Sequence, residues 1–250
     1  MADPKTSIFI ATPSYDGKVE CTYATSLLAL CIAMSKAGIG YALQFHAGDA
    51  LIARARNELV GAFLNSSCTH LLFVDSDIGG FTSADLVAMV AADVDVIAGI
   101  YPKKEPGGDA FAVCPLDDGP QTVDARGVVE LKWVGTGFLL IKRAVFEKMI
   151  AKLGPDVAYR TAEGEVRHVL FDTCINRETG KFTGEDFGFC IRWRDMGGRI
   201  FGYLPAKLTH TGRFAFAREI KRTRASAGAP STLTGVRPDR SESICNGMSP

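Results

Sequence analysis

The sequence predicts an α/β fold: a mostly parallel central sheet flanked by helices, with a small additional β-hairpin. Three observations carry this. Short apolar runs of strand type alternate with segments of helical periodicity, the pattern that builds parallel sheets through helical crossovers. Several of those runs break off in polar turn clusters, as strands do at the carboxyl edge of an open sheet. Hydrophobic residues make up 47% of the 250, enough for the core of one large domain. The predicted organisation is a single domain over residues 1–214 and a basic, partly flexible tail over 215–250.

In chain order, Ser7-Ile8-Phe9-Ile10-Ala11 is the first strand, ending in the turn cluster Thr12-Pro13-Ser14-Tyr15-Asp16-Gly17. Residues 22–36 carry a helical apolar stripe, with Gly38 as its stop. A second strand covers 41–45. A second helix covers 49–64, with Asp49 as N-cap and Arg54 and Asn57 three apart on one face. A third strand follows over 71–74. Thr82 or Ser83 caps a short helix, and 93–99 forms a strand that leads into the basic pair Lys103-Lys104. Short strands near 111–113 and over 128–133 read as a hairpin. Gly135-Thr136-Gly137 implies close backbone approach to something. A strand over 138–141 and a helix over 143–153 come next. Residues 154–183 read as a long loop, a candidate acceptor lid. Glu185 and Asp186 open a helix, where its dipole favours their charged forms. A last strand over 200–204 precedes Leu208-Thr209-His210-Thr211-Gly212.

The third strand, in His70-Leu71-Leu72-Phe73-Val74-Asp75-Ser76-Asp77, bears most on chemistry. Alternation along an extended chain places Asp75 and Asp77 on one side. Two anionic oxygen donors at a strand's carboxyl end suit a hard divalent cation, Mn2+ (manganese) or Mg2+, that keeps places for water and substrate phosphates. His210 is a candidate third ligand. Tyr15 can stack on a nucleobase, with Thr12 or Ser14 bonding to it. An Asp186 carboxylate facing a cleft is a candidate general base.

Lys+Arg and Asp+Glu are balanced at 28 each, so no overall field favours nucleic acid or a membrane surface. Seven cysteines lack any zinc-like spacing and no signal-peptide pattern precedes them, which reads as reduced thiols in a cytoplasmic protein. No apolar run is long and unbroken enough for an integral membrane segment.

Taken in order, the Thr-Pro-Ser-Tyr strand end, Phe-Val-Asp-Ser-Asp, Gly-Glu-Asp before a helix, and His-Thr-Gly resemble the GT-A (Rossmann-like) glycosyltransferases. The likeness is to small inverting, family-2-like members of bacteria and large viruses. It covers about residues 7–214. The resemblance implies Asp77 and His210 as metal ligands, with Asp75 on the metal or the ribose. It implies Asp186 as base, and Glu185 as orienting the acceptor. Thr12, Pro13, Tyr15, Ser76 and, more loosely, Arg54 and Asn57 fall to the nucleoside-diphosphate sugar, with Arg213 closing over its diphosphate. Thr136, Gly137 and Lys103 fall to the acceptor. The donor would be a UDP-sugar by family habit. The acceptor would be a glycan, a lipid-linked sugar, a protein or a hydroxymethylated DNA base. The Gln-x-x-Arg-Trp motif of larger members is missing. Two alternatives are a haloacid-dehalogenase-like phosphohydrolase using Asp75 and Asp77, and a catalytically silent nucleotide-sugar-binding module.

Overall fold

The computed structural model describes residues 6–105, 110–117, 119–177 and 180–212, together with the backbone of three short strands beyond them. The elements are β1 (Ser7–Ser14), α1 (Cys21–Ala37), β2 (Gly40–Ala47), α2 (Ile52–Leu64), β3 (His70–Val74), β4 (Ile78–Gly79), α3 (Ser83–Ala91), β5 (Val96–Gly99), β6 (Val113–Pro115), β7 (Gln121–Val123), β8 (Val128–Val134), β9 (Phe138–Lys142), α4 (Arg143–Leu153), β10 (Ala158–Arg160), β11 (Val166–His168), β12 (Cys174–Ile175), β13 (Phe182–Thr183), α5 (Glu185–Asp195), β14 (Ile200–Tyr203), β15 (Thr209–Thr211), β16 (Ala215–Ala217), β17 (Arg222–Thr223) and β18 (Ser231–Leu233).

Among the described residues the main sheet runs β17-β18-β7-β8-β14-β5-β9-β3-β1-β2, with β6 against β8. β1 is parallel to β2 and β3, and β5 to β14. β9 lies between β3 and β5 and runs against both, so β2, β1, β3, β5 and β14 all point one way. From β2 to β14 the sheet is thus mostly parallel in direction, as expected, with β9 reversed inside it, while β8, β7, β18 and β17 extend it in antiparallel pairs. Two small hairpins, β10-β11 and β12-β13, and a ribbon β16-β15-β4 stand apart from it.

Strand alternation sorts the core into two layers. Ile8, Ile10, Leu72 and Val74 face Tyr23, Leu27, Leu30 and Met34 of α1 and Leu86 and Met89 of α3. Phe9, Ala11, Leu71 and Phe73 face Leu59 and Phe63 of α2, Phe146 and Met149 of α4, and Phe189 of α5. Both sheet faces are covered, which is why these strands read as continuous apolar runs. Each fully buried Leu or Phe contributes about 1.5–3 kcal/mol.

Several local expectations hold. Gly38 ends α1 in the left-handed region at φ 65°, and Thr82 closes a capping box with Asp85. Others change. β1 continues through Ser14, so the expected turn begins later. Asp49 does not cap α2, which starts at Ile52 without a side-chain cap. β5 starts at Val96, because Asp93 turns the chain at φ 53°. Residues 154–183 are no loose lid: they hold both hairpins, and Phe171 stacks on Phe189 at 4.5 Å and 7°.

Cys114 is disulfide-bonded, so the all-thiol reading fails there: linear spacing does not reveal which side chains fold within bonding reach. Cys21, Cys31, Cys68, Cys174 and Cys190 are free thiols. No helix among the described residues is long and apolar enough to cross a membrane. Within the expected tail, β16 pairs with β15 and β18 with β7.

Candidate active site

β3 ends at Val74, and the chain then turns: Ile78 N donates to Asp75 O at 3.0 Å. The backbone is therefore not extended through Ser76, and the two carboxylates part instead of sharing a side. Asp75 follows Leu71 and Phe73 toward the layer of α2 and α5. There Arg56 meets it with two parallel bonds, Nη1 to Oδ1 at 3.0 Å and Nη2 to Oδ2 at 3.2 Å. Arg56 also donates from Nε to Glu185 Oε1 at 3.2 Å and lies 5.3 Å from the Phe73 ring centroid. Its side chain is 4% exposed. Burial opposes the guanidinium's charge, but Asp75 and then Glu185 outweigh it and hold the group firmly protonated.

Three of the expected site residues are thus held by other side chains of the fold. Asp75 has both oxygens engaged by Arg56. Glu185, the first residue of α5, is bonded by the same guanidinium. Arg54 points elsewhere, to Asp49 at 2.7 and 2.8 Å, with its side chain 58% exposed. Asn57 is also structural. Its amide donates to Ala53 O and Phe171 O, and its oxygen accepts from Leu170 N and Phe171 N. Both donors and its acceptor are thus used inside the fold. The sequence reading passed over Arg56, yet a signal exists: it stands three, four and seven residues before Leu59, Val60 and Phe63, within the buried stripe of α2.

Asp77 turns to the other end of the chain. β15 pairs antiparallel with β4, setting His210 opposite Ile78, and Thr211 N donates to Asp77 O at 2.8 Å. His210 Nδ1 sits 2.9 Å from Pro102 O, a partner that only accepts, so Nδ1 carries the ring proton. Nε2 then faces Asp77 Oδ1 at 3.6 Å. Burial holds the His210 pKa below the usual histidine value, against the pull of Asp77. With Nδ1 turned to Pro102, Nε2 and the Asp77 carboxylate are two donor atoms that face each other, an arrangement that suits a cation between or beside them. The Lys104 ammonium pairs with the other oxygen of Asp77. Among the described residues no group of three or more His, Cys, Asp and Glu side chains could hold a metal. The expected set of Asp75, Asp77 and His210 is not assembled, whereas the pair Asp77 and His210 is.

Tyr101 packs beside this pair. Its ring stands edge-on to His210 at 5.2 Å, and its hydroxyl accepts from Gly137 N at 3.0 Å. Burial first, then the charges of Asp75 and Asp186, push the phenol pKa up. Asp186 accepts from Phe187 N at 2.7 Å in the first turn of α5. The close approach implied by Gly135-Thr136-Gly137 is to this tyrosine: a Cβ on Gly135 or Gly137 would lie 2.3 Å from Oη or 2.7 Å from Cζ. Thr136 is buried.

The first loop divides. Thr12 and Pro13 are buried inside β1, and Thr12 shares a hydrogen bond with the Tyr23 hydroxyl. Tyr15 is 71% exposed. Ser76 O accepts from Glu20 N at 2.9 Å. At Lys103 the backbone N donates to Ala110 O, and it is Lys104 that reaches Asp77. Arg213 lies outside the described residues. A cleft of about 540 Å³ opens beside α2, lined by Leu51, Ile52, Arg54, Phe171, Asp172 and Glu185 among others. It adjoins the acidic start of α5 but does not include Asp77 or His210.

No protein-family model and no curated protein matches the chain. Solved structures similar to it include A197 from STIV, at 17% identity and a TM-score of 0.50, covering 90% of this chain and 100% of that one. Also similar is a glycosyltransferase involved in the glycosylation of the major capsid of PBCV-1, at 11% identity and TM-score 0.32, covering 59% of this chain and 66% of that one. S. aureus TarS 1-349 is similar at 12% identity and TM-score 0.39, covering 75% of this chain and 55% of that one. A197 shares the fold at nearly full length, while the two looser likenesses carry no weight for function. At the level of fold, the expected α/β architecture holds.

Proposed function

We propose that the protein is an inverting, metal-dependent glycosyltransferase. It would move a sugar from a nucleoside-diphosphate sugar, a UDP-sugar by family resemblance, to an acceptor hydroxyl. The observation that carries this is the meeting of Asp77 and His210 where β3 gives way to its turn. A carboxylate oxygen and a neutral imidazole nitrogen are a fitting donor pair for Mn2+ or Mg2+, with diphosphate oxygens and water completing the shell. Bound there, the ion would neutralise charge gathering on the leaving diphosphate.

The chain's own residues supply the rest. Asp186 takes the proton from the acceptor hydroxyl as its oxygen attacks the anomeric carbon on the face opposite the diphosphate, which inverts the configuration. Arg56 fixes Asp75 and Glu185 against each other and so sets where α5 presents Asp186. Tyr15, exposed beyond β1, suits a nucleobase. The acceptor, whether glycan, lipid-linked sugar, protein or hydroxymethylated base, approaches from the cleft beside Glu185. The phosphohydrolase alternative needs an unencumbered Asp75 nucleophile, and Arg56 holds both its oxygens.

The test is Asp186→Ala with a panel of UDP-sugars. Turnover should fall about 10²–10⁴-fold while donor binding persists. Wild-type turnover in that variant would overturn the assignment of the base, and binding without any turnover in the wild type would favour a silent binding module.

A further inference from the structure

The proposed metal site already holds a cation of the chain's own. The Lys104 ammonium pairs with Asp77 Oδ2, while His210 Nε2 faces Oδ1 of the same carboxylate at 3.6 Å. Three groups thus converge: one carboxylate, one imidazole and one ammonium.

We infer that Lys104 is a resident counter-ion which a divalent metal displaces from Asp77, and that the released ammonium then engages the diphosphate brought in on that metal. The inference rests on the metal reading proposed above and deepens it. A divalent ion held by Asp77 and His210 repels an ammonium on the same carboxylate, since both are cations competing for one anion. The lysine has somewhere to go. Its side chain is 37% exposed, and its four-carbon stem lets the charged head swing without moving the backbone. A diphosphate joined to the metal is the strongest anion within that reach, and a charge-assisted bond to it replaces the one lost at Asp77.

The two halves move affinity in opposite directions, which a merely structural role would not do. The test is calorimetric titration of the full chain as wild type, Lys104→Gln and Lys152→Gln. Lys152, in the last turn of α4, controls for loss of one positive charge. Mn2+ alone should bind Lys104→Gln about two- to fivefold tighter than wild type, the gain expected from removing a partly exposed ion pair. UDP, added at saturating Mn2+, should bind Lys104→Gln about tenfold more weakly, the loss expected for a hydrogen bond between charged groups. Lys152→Gln should match wild type in both. Equal or weaker Mn2+ binding by Lys104→Gln would overturn the displacement. Tighter Mn2+ binding with unchanged UDP affinity would overturn the transfer to the diphosphate. Absence of Mn2+ binding in wild type and variants alike would remove the metal reading and this inference together.

Discussion

Arg56 carries its charge at 4% side-chain exposure, where lost hydration costs several kcal/mol unless carboxylates answer it. Asp75 and Glu185 do so from two elements, which makes the guanidinium a clasp between the β3 turn and α5. Arg56→Met should strip both carboxylates of their partner and lower stability by about 3 kcal/mol, read as a lower urea midpoint at unchanged slope. Arg56→Lys should recover little of it, because an ammonium cannot bond Asp75 on both oxygens and still reach Glu185. An unchanged midpoint in both variants would show that the clasp contributes nothing. A second pair acts through pH. The Arg54 hydrogen bond holds Asp49 at a pKa of about 2, against an ordinary 3.8. A depressed carboxylate contributes stability that is full above its ordinary pKa and lost as pH falls toward the folded value. Asp49→Asn should therefore flatten the acid limb of the stability curve between about pH 4 and pH 2. An acid limb as steep as that of the wild type would contradict it.

At the scale of elements, two short pieces of chain build the site: the turn after β3 and the first turn of α5. The β4-β15 pairing brings His210 to Asp77, and the seating of α5 on residues 170–173 brings up the acidic pair. Gly188 permits that seating, since a Cβ there would lie 2.1 Å from the backbone oxygen of Asp172. Gly188→Ala should shift α5, cost about 1–3 kcal/mol in thermal unfolding and reduce turnover, while leaving Mn2+ affinity near wild type. Loss of Mn2+ binding in that variant would mean α5 and the metal pair are not separable. These elements were unequally legible in the sequence. Helix α1, with its apolar stripe and glycine stop, was read to within a residue at each end. Pro13 hid the end of β1, because proline signals a turn. Here β3 pairs only as far as Ala11, so a missing N–H at Pro13 breaks no ladder bond on that side. The turn at Asp75-Ser76-Asp77 was invisible to an alternation rule that assumes the strand goes on.

Across the whole molecule, direction of strands explains why widely separated segments share one site. β1, β3 and β5 point the same way, so the segments after β1, β3 and β5 gather at one edge of the sheet, the usual ligand edge of an open α/β fold. The order of motifs along the chain was legible for this reason, and Asp77 and His210 emerged as partners. Pairing between side chains was not, since whether Arg54 or Arg56 turns inward depends on how α2 packs on the sheet. The basic pair Lys103-Lys104 was legible, but only the folded chain shows that it is Lys104 that reaches Asp77. A ligand that binds the folded state alone adds about 2.7 kcal/mol of stability at a hundredfold excess over its Kd, so metal and nucleotide should be visible together in thermal shifts. The most direct measurement is Mn2+ titration by electron paramagnetic resonance, with and without UDP, of wild type, Asp77→Asn and His210→Ala. The expected result is binding by the wild type that UDP strengthens and that both variants weaken at least about tenfold, or about 1.4 kcal/mol. Wild-type affinity in either variant, or no binding in the wild type with UDP present, would contradict a cation held by Asp77 and His210.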